Sequence, residues 1–235
     1  MTRRFGRLSR VSSPAPLPER GGSRNPESSP RRPFDFHAIA EVFAAQGFHE
    51  ASMNEIARRA KVAKPTIYRY FASKEELCDA TVDAVCEDLL QHLFAAYDRA
   101  EGLPLRELIE VAIAAYLDYA RERPAALRLL LDSGIPRSSA AAQRVDETFA
   151  AITARVGELF RTELADRGIA STVGADVLAT VTVASAQQVG RELTERPEWD
   201  PDAVLDLVTE LWSNALANLS RRSLSRVDRA AARRG

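Results

Sequence analysis

From Phe34 onward the chain alternates apolar and polar positions with the period of an α-helix. Phe36, Ile39, Ala40 and Phe43 fall at i, i+3, i+4 and i+7, one face of a first helix that Gly47 is suited to end. Ser52 with Glu55 forms a capping box for a second helix reaching about Ala60. Pro65 fits only the first turn of a helix, which sets a third start near Lys64. Ser73 with Glu76 opens a long fourth helix through Leu77, Val82, Val85, Leu89, Leu93 and Tyr97.

Prolines and glycines punctuate the rest. Gly102 and Pro104 precede a helix carrying Leu108, Ile109, Ile113, Tyr116 and Leu117, and Pro124 starts a shorter one that Gly134 and Pro136 break. Val145, Phe149, Ile152, Val156, Phe160 and Leu164 predict a long helix over 140–167, ended by Gly168. A stretch rich in Ala, Val, Ser and Thr covers 172–195. Asp200 and Pro201 then cap a last helix with Leu207, Leu211, Trp212, Leu216 and Leu219. No strand pair or hairpin signal accompanies these nine helices, so the expected fold class is all-α.

Composition narrows the picture. The chain has 235 residues, 46% hydrophobic and 28% charged, ordinary for a globular protein. Neither an apolar run near the ~18 residues of a membrane span nor a secretory apolar segment is present, and a cytoplasmic protein without membrane association is expected. Cys78 and Cys86 lie on one predicted helix about 12 Å apart, too far to bridge, and read as reduced small hydrophobes. His37, His49 and His92 show no metal-ligand spacing, so neither a metal nor another cofactor is expected.

The net charge of −1 conceals a segregation. Residues 1–33 carry eight arginines against Glu19 and Glu27, and residues 220–235 carry six against Asp228. The intervening body is therefore −12, with −1 on residues 34–80 and −11 on residues 81–219. Both basic segments are poor in aliphatics and are expected to be disordered, with polyanion contact as one use for them.

The tight link between the second and third helices suggests a helix-turn-helix, whose second helix enters a DNA major groove. Ile67 and Phe71, with Val62, should face the preceding helices, while Lys64 and Tyr68 form an i,i+4 pair on another face. Tyr68, Arg69, Tyr70 and Phe71 are too many large side chains for so short a helix to bury. A basic and aromatic face of this kind suits phosphate and base-edge contacts.

Phe43, Gly47, Phe48, Ser52, Ile56, Ala57, Ala60, Val62, the run from Lys64 to Tyr68, Tyr70, Phe71 and the run from Ser73 to Leu77 resemble the DNA-binding domain of the TetR family of bacterial regulators. The resemblance implies that Lys64 and Tyr68 reach base edges or adjacent phosphates and that Pro65 touches a thymine methyl. It also implies that Ser52 lies in the DNA-binding surface, that Thr66, Tyr70 and Lys74 bind phosphates, and that Arg69 reads bases or stays solvated. Three positions depart from the pattern. Lys61 stands where glycine is usual, at about 1–2 kcal/mol if the turn keeps a left-handed residue. Ala63 replaces a serine cap worth about 1 kcal/mol. Asp35 replaces an apolar residue and predicts a frayed start to the first helix. The near-neutral domain leaves a phosphate-binding role open for the N-terminal arginine arm.

Composition thus predicts a disordered basic arm over 1–33 and a disordered basic tail over 220–235, and the resemblance implies a helix-turn-helix domain over 34–80 and a helical ligand-sensing and dimerisation domain over 81–219. Tyr97, Tyr116, Tyr119, Leu127, Phe149, Phe160 and Gln187 are the expected lining of a ligand pocket. Ala184, Gly190, Leu211, Trp212 and Leu216 are the expected dimer interface. The implied function is a homodimeric, non-enzymatic regulator, a repressor released from a palindromic double-stranded operator by a small-molecule effector. A helical interaction module with weakened DNA binding, or a helical-bundle enzyme, are the alternatives.

Overall fold

Caps and turns written into the sequence delimit the helices of the computed structural model, which describes residues 34–132, 135, 139–196 and 198–233. Ten helices are present among the described residues: α1 (Phe36–Glu50), α2 (Met53–Arg59), α3 (Lys64–Tyr70), α4 (Lys74–Ala100), α5 (Leu105–Glu122), α6 (Pro124–Asp132), α7 (Ala140–Asp166), α8 (Thr172–Glu195), α9 (Pro201–Ala217) and α10 (Arg221–Ala231). Ser52, Ser73, Ser139 and Ser220 each accept a backbone hydrogen bond at a helix start. The expected arm over 1–33 and the expected break at Gly134 and Pro136 lie outside the described residues.

Two long helices organise the bundle. At 27 residues each, α4 and α7 span about 40 Å. They run parallel: Asp79 accepts from the Ala141 amide at 3.2 Å near their starts, and Arg155 pairs with Asp98 at 2.9 Å further along. α5 returns antiparallel to α4, with the Tyr119 hydroxyl donating to Val85 O at 3.4 Å. α8 returns antiparallel to α7, whose Gly157 faces Ala179. α6 packs directly on α1, and Asp88 of α4 sits 3.3 Å from Arg123 and 3.6 Å from His37. The domain boundary expected at residue 80 therefore falls inside α4, which serves both the first three helices and the bundle.

Two local expectations change. Asp35 does not fray α1; its carboxylate accepts from the Ala38 amide at 3.1 Å and caps the helix. The tail expected to be disordered over 220–235 forms α10 instead. Leu224 is buried against Gly174, Asp228 accepts from Val173 N at 3.1 Å, and Arg221 donates to Arg167 O and Gly168 O, the exposed carbonyls that follow α7. Cys78 and Cys86 are free and buried; burial first, then the Asp79 and Glu75 carboxylates, push the Cys78 thiol up to about 12.

Candidate functional site: a nucleic-acid interface and an internal cavity

The turn between α2 and α3 is a Schellman arrangement. Val62 N donates to Ala57 O at 3.0 Å and Lys61 N to Arg58 O at 3.3 Å, with Lys61 at φ 54°. Lysine thus occupies the left-handed position that favours glycine, a strain of about 1–2 kcal/mol. α3 begins at Ala63 without a side-chain cap, with Pro65 in its first turn. Ile67 and Phe71 are buried and clamp α3 to its neighbours.

The opposite face of α3 is open to solvent. Lys64, Pro65, Arg69 and Tyr70 are exposed, Thr66 is half-buried, and Tyr68 keeps 47% of its surface. The Lys64 ammonium lies 5.9 Å from the centre of the Tyr68 ring, so the expected pair forms one face. Arg69 lies over the Tyr70 ring, which Phe34 meets edge-on. Ser52 is exposed, and its oxygen already accepts from Glu55 N at 3.2 Å.

Lys74 opens α4, as expected. Its ammonium donates to His49 O at 2.9 Å and Ala51 O at 3.1 Å and lies over the Phe48 ring. These bonds close the α1–α2 junction. Arg58 is paired with Glu55, which it holds below the usual carboxylate range, and Arg59 is paired with Glu41. Among the described lysines and arginines of this region, Arg58 and Arg59 form ion pairs while Lys61, Lys64, Arg69 and Lys74 do not, a small set for a phosphate backbone.

Within the bundle, α5, α7, α8 and α9, with Tyr97 of α4, enclose a cavity of about 50 Å³. Tyr97, Tyr116, Phe149 and Phe160 line it as expected. Tyr119, Leu127 and Gln187 do not. Tyr119 is fully buried on the α4 side beside His92, Leu127 packs where Gly190 meets Tyr116, and Gln187 is half-buried outside the cavity wall. The sequence reading missed Ile113, Val156 and Val183 on the wall, because α5, α7 and α8 carry apolar residues on more than one face.

The expected dimer residues also divide. Ala184 and Leu211 are exposed, but Trp212 and Leu216 line the cavity, and Gly190 is buried against Tyr116. The exposed apolar surface of α8 and α9 is instead Val177, Val181, Leu207 (67% exposed) and Leu211 (62%). Its signal was available in the sequence as two i,i+4 pairs, one per helix.

Comparison with known proteins agrees with this geometry. Residues 36–81 match the family profile described as bacterial regulatory proteins, tetR family. The HTH-type transcriptional activator FasR of Mycolicibacterium smegmatis is 30% identical over 159 residues, which cover 63% of this chain and 72% of FasR. The A-factor receptor protein of Streptomyces griseus is 37% identical over 73 residues, 31% of this chain and 24% of that receptor. Among solved structures, a TetR-like regulator from Rhodococcus sp. RHA1 shares the fold with a TM-score of 0.64 at 24% identity, covering 78% of this chain and 94% of that one. FadR of Bacillus subtilis, solved in complex with stearoyl-CoA, aligns with a TM-score of 0.63 at 17% identity over 75% of this chain and 94% of its own. From helix-turn-helix to bundle, the chain belongs to the TetR family of bacterial regulators and is a DNA-binding transcriptional regulator.

Proposed function

We propose that the chain acts in the cytoplasm as a homodimeric repressor without a catalytic step, each α3 reading one half-site of a roughly palindromic operator. The observation that carries this reading is the open Lys64–Tyr68 face on a helix clamped from behind by Ile67 and Phe71. Such a face presents donors and an aromatic ring to base edges and phosphates while its backbone stays fixed. Thr66, Tyr70 and Ser52 flank it as candidate phosphate contacts. The exposed Val177, Val181, Leu207 and Leu211 support self-association through a four-helix interface built from α8 and α9 of two copies.

A small molecule in the cavity is the proposed effector. α5 lines the cavity and touches α6, which packs on α1, so a ligand that favours one arrangement of these helices alters the spacing of the two α3 helices. Release of DNA then follows by population shift. The stearoyl-CoA complex of the FadR neighbour supports a fold able to hold an effector that carries a long apolar chain. Activation is the second reading, favoured by the activator name of FasR.

Selection of bound sequences from random duplex DNA tests the core of the proposal. The expected result is an enriched palindrome, lost when Leu207→Glu and Leu211→Glu are combined and the protein sediments as a monomer. A double variant that remains dimeric would remove the α8–α9 interface from the proposal.

A further inference from the structure

The first three helices and the bundle meet at a carboxylate, Asp88 of α4. Its Oδ2 atom lies 3.6 Å from His37 Nε2 of α1 and 3.3 Å from a terminal nitrogen of Arg123, the residue that ends α5 and precedes α6. That oxygen is buried and has no hydrogen-bond partner. A buried acceptor left without a donor costs stability, so Asp88 gains from any donor that comes closer. Arg123 is held in place, with its guanidinium over the Tyr119 ring at 5.3 Å. Burial first, and then the Asp88 charge, keep the Tyr119 hydroxyl protonated, and it donates to Val85 O at 3.4 Å.

The two cations at Asp88 differ in kind. Arginine stays charged across physiological pH, whereas a histidine side chain changes charge between about pH 5 and 8. A neutral imidazole offers one ordinary donor; an imidazolium offers a charge-assisted one, roughly twice as strong. An approach of about half an ångström turns the 3.6 Å contact into such a bond. The other charges near His37 are engaged elsewhere. On α1, Asp35 accepts from Ala38 N and Glu41 pairs with Arg59. On α4, Glu87 accepts from Gln91, and His92 lies 3.0 Å from Ala115 O. Arg121 and Glu122 of α5 and Arg128 and Asp132 of α6 do not pair with His37; among the described residues its ion-pair partner is Asp88.

α1 shares a core with α2 and α3 through Ile39, Phe43, Ile56 and Ile67, so whatever fixes α1 also fixes α3. α5 lines the cavity. We propose that Asp88 ties the helix-turn-helix to the bundle through a proton-sensitive bridge, in which Arg123 holds it at the α5–α6 corner throughout and protonated His37 holds it to α1. Lowering the pH stiffens the position of α3 relative to α5 and α6, and raising it frees α1 from Asp88. The regulatory meaning rests on the operator reading above; the bridge rests on this geometry alone.

The test uses the full chain as wild type, His37→Gln, Asp88→Asn and the double variant, each unfolded in urea at pH 5.5 and at pH 8. The double-mutant cycle isolates the His37–Asp88 coupling, since His49 and His92 are common to all four proteins. The expected coupling is about threefold to fivefold in the unfolding equilibrium at pH 5.5 and at most about 1.5-fold at pH 8. Its sign follows from the charge: the attraction is present while His37 is protonated and is lost as the pH rises. A coupling that is equal at both pH values, larger at pH 8 or absent at both overturns the proposal. Where Asp88→Asn does not fold, Arg123→Gln takes its place. With the competing cation gone, the loss caused by His37→Gln at pH 5.5 is expected to grow; an unchanged or smaller loss refutes the bridge. Affinity for the selected duplex, measured at the same two pH values, is expected to change about twofold to fivefold more in wild type than in His37→Gln. An equal change in both removes the regulatory role and leaves the bridge standing. If no duplex is selected at either pH, the operator reading fails, and the unfolding cycle still decides the bridge.

Discussion

The α2–α3 region and the α5–α9 cavity reveal their uses in opposite ways. Around α3 the informative side chains are those left outside: Lys64, Tyr68 and Arg69 project to solvent while Ile67 and Phe71 hold the helix down. In the cavity the informative side chains are those turned inward, Tyr97, Phe149, Phe160 and Trp212 among them, while the Tyr116 hydroxyl is buried without a partner. An exposed aromatic costs little and gains from a partner's surface. A buried unsatisfied hydroxyl carries a cost of about 1–3 kcal/mol in the free protein. The first region is therefore ready to bind without sacrificing stability, whereas the second carries a buried hydroxyl left unpaired.

Substitutions in each region sharpen that contrast. Tyr68→Ala has the largest expected effect on DNA, a loss of about 1–3 kcal/mol per half-site in affinity for the selected duplex, with the melting temperature within a degree or two of wild type. Retained affinity in a fluorescence-anisotropy titration would remove Tyr68 from the reading face; a large fall in melting temperature would break the comparison. Gly190→Ala acts on the other side. The added carbon collides with Tyr116, and a destabilisation of about 1–3 kcal/mol is expected in urea unfolding, without a change in which DNA sequence is selected. Unaltered stability would mean that the Tyr116 seat is not tight. Lys61→Gly is the smallest. Relief of the left-handed strain should raise stability by about 1 kcal/mol, and a destabilised variant would show that the Lys61 side chain contributes more than its backbone costs.

Helix positions were legible in the sequence because caps and breakers act over three or four residues. Ser52, Pro65, Ser73 and Asp200 mark their helix starts by local hydrogen bonding or fixed φ, and the structure keeps each one. The left-handed turn at Lys61 was legible only through the resemblance to the TetR pattern, where glycine is usual at that position. Asp35 is the instructive exception. Read as a misplaced polar residue, it is a cap, since a carboxylate at that position reaches the Ala38 amide.

Which face of a helix looks inward was harder to read. Trp212 and Leu216 have the same chemistry as Leu207 and Leu211, yet the first pair lines the cavity and the second points to solvent. α9 is apolar around much of its circumference, so periodicity does not choose between an internal core and a partner. α10 shows the same limit for charge. Six arginines over 220–235 favour an unstructured tail by composition, but Leu224 against Gly174 and Asp228 on the start of α8 supply long-range contacts that composition does not count.

What the sequence by itself determined is the first nine helices, the helix-turn-helix and the Lys64–Tyr68 face, all products of interactions between residues near in the chain. The tertiary structure decided the rest: the Lys74 ammonium capturing the carbonyls of His49 and Ala51, the seating of Tyr116 on Gly190, and the division of α8 and α9 into inner and outer faces. These depend on which distant backbone or side chain arrives beside a residue, and packing of the whole bundle alone sets that.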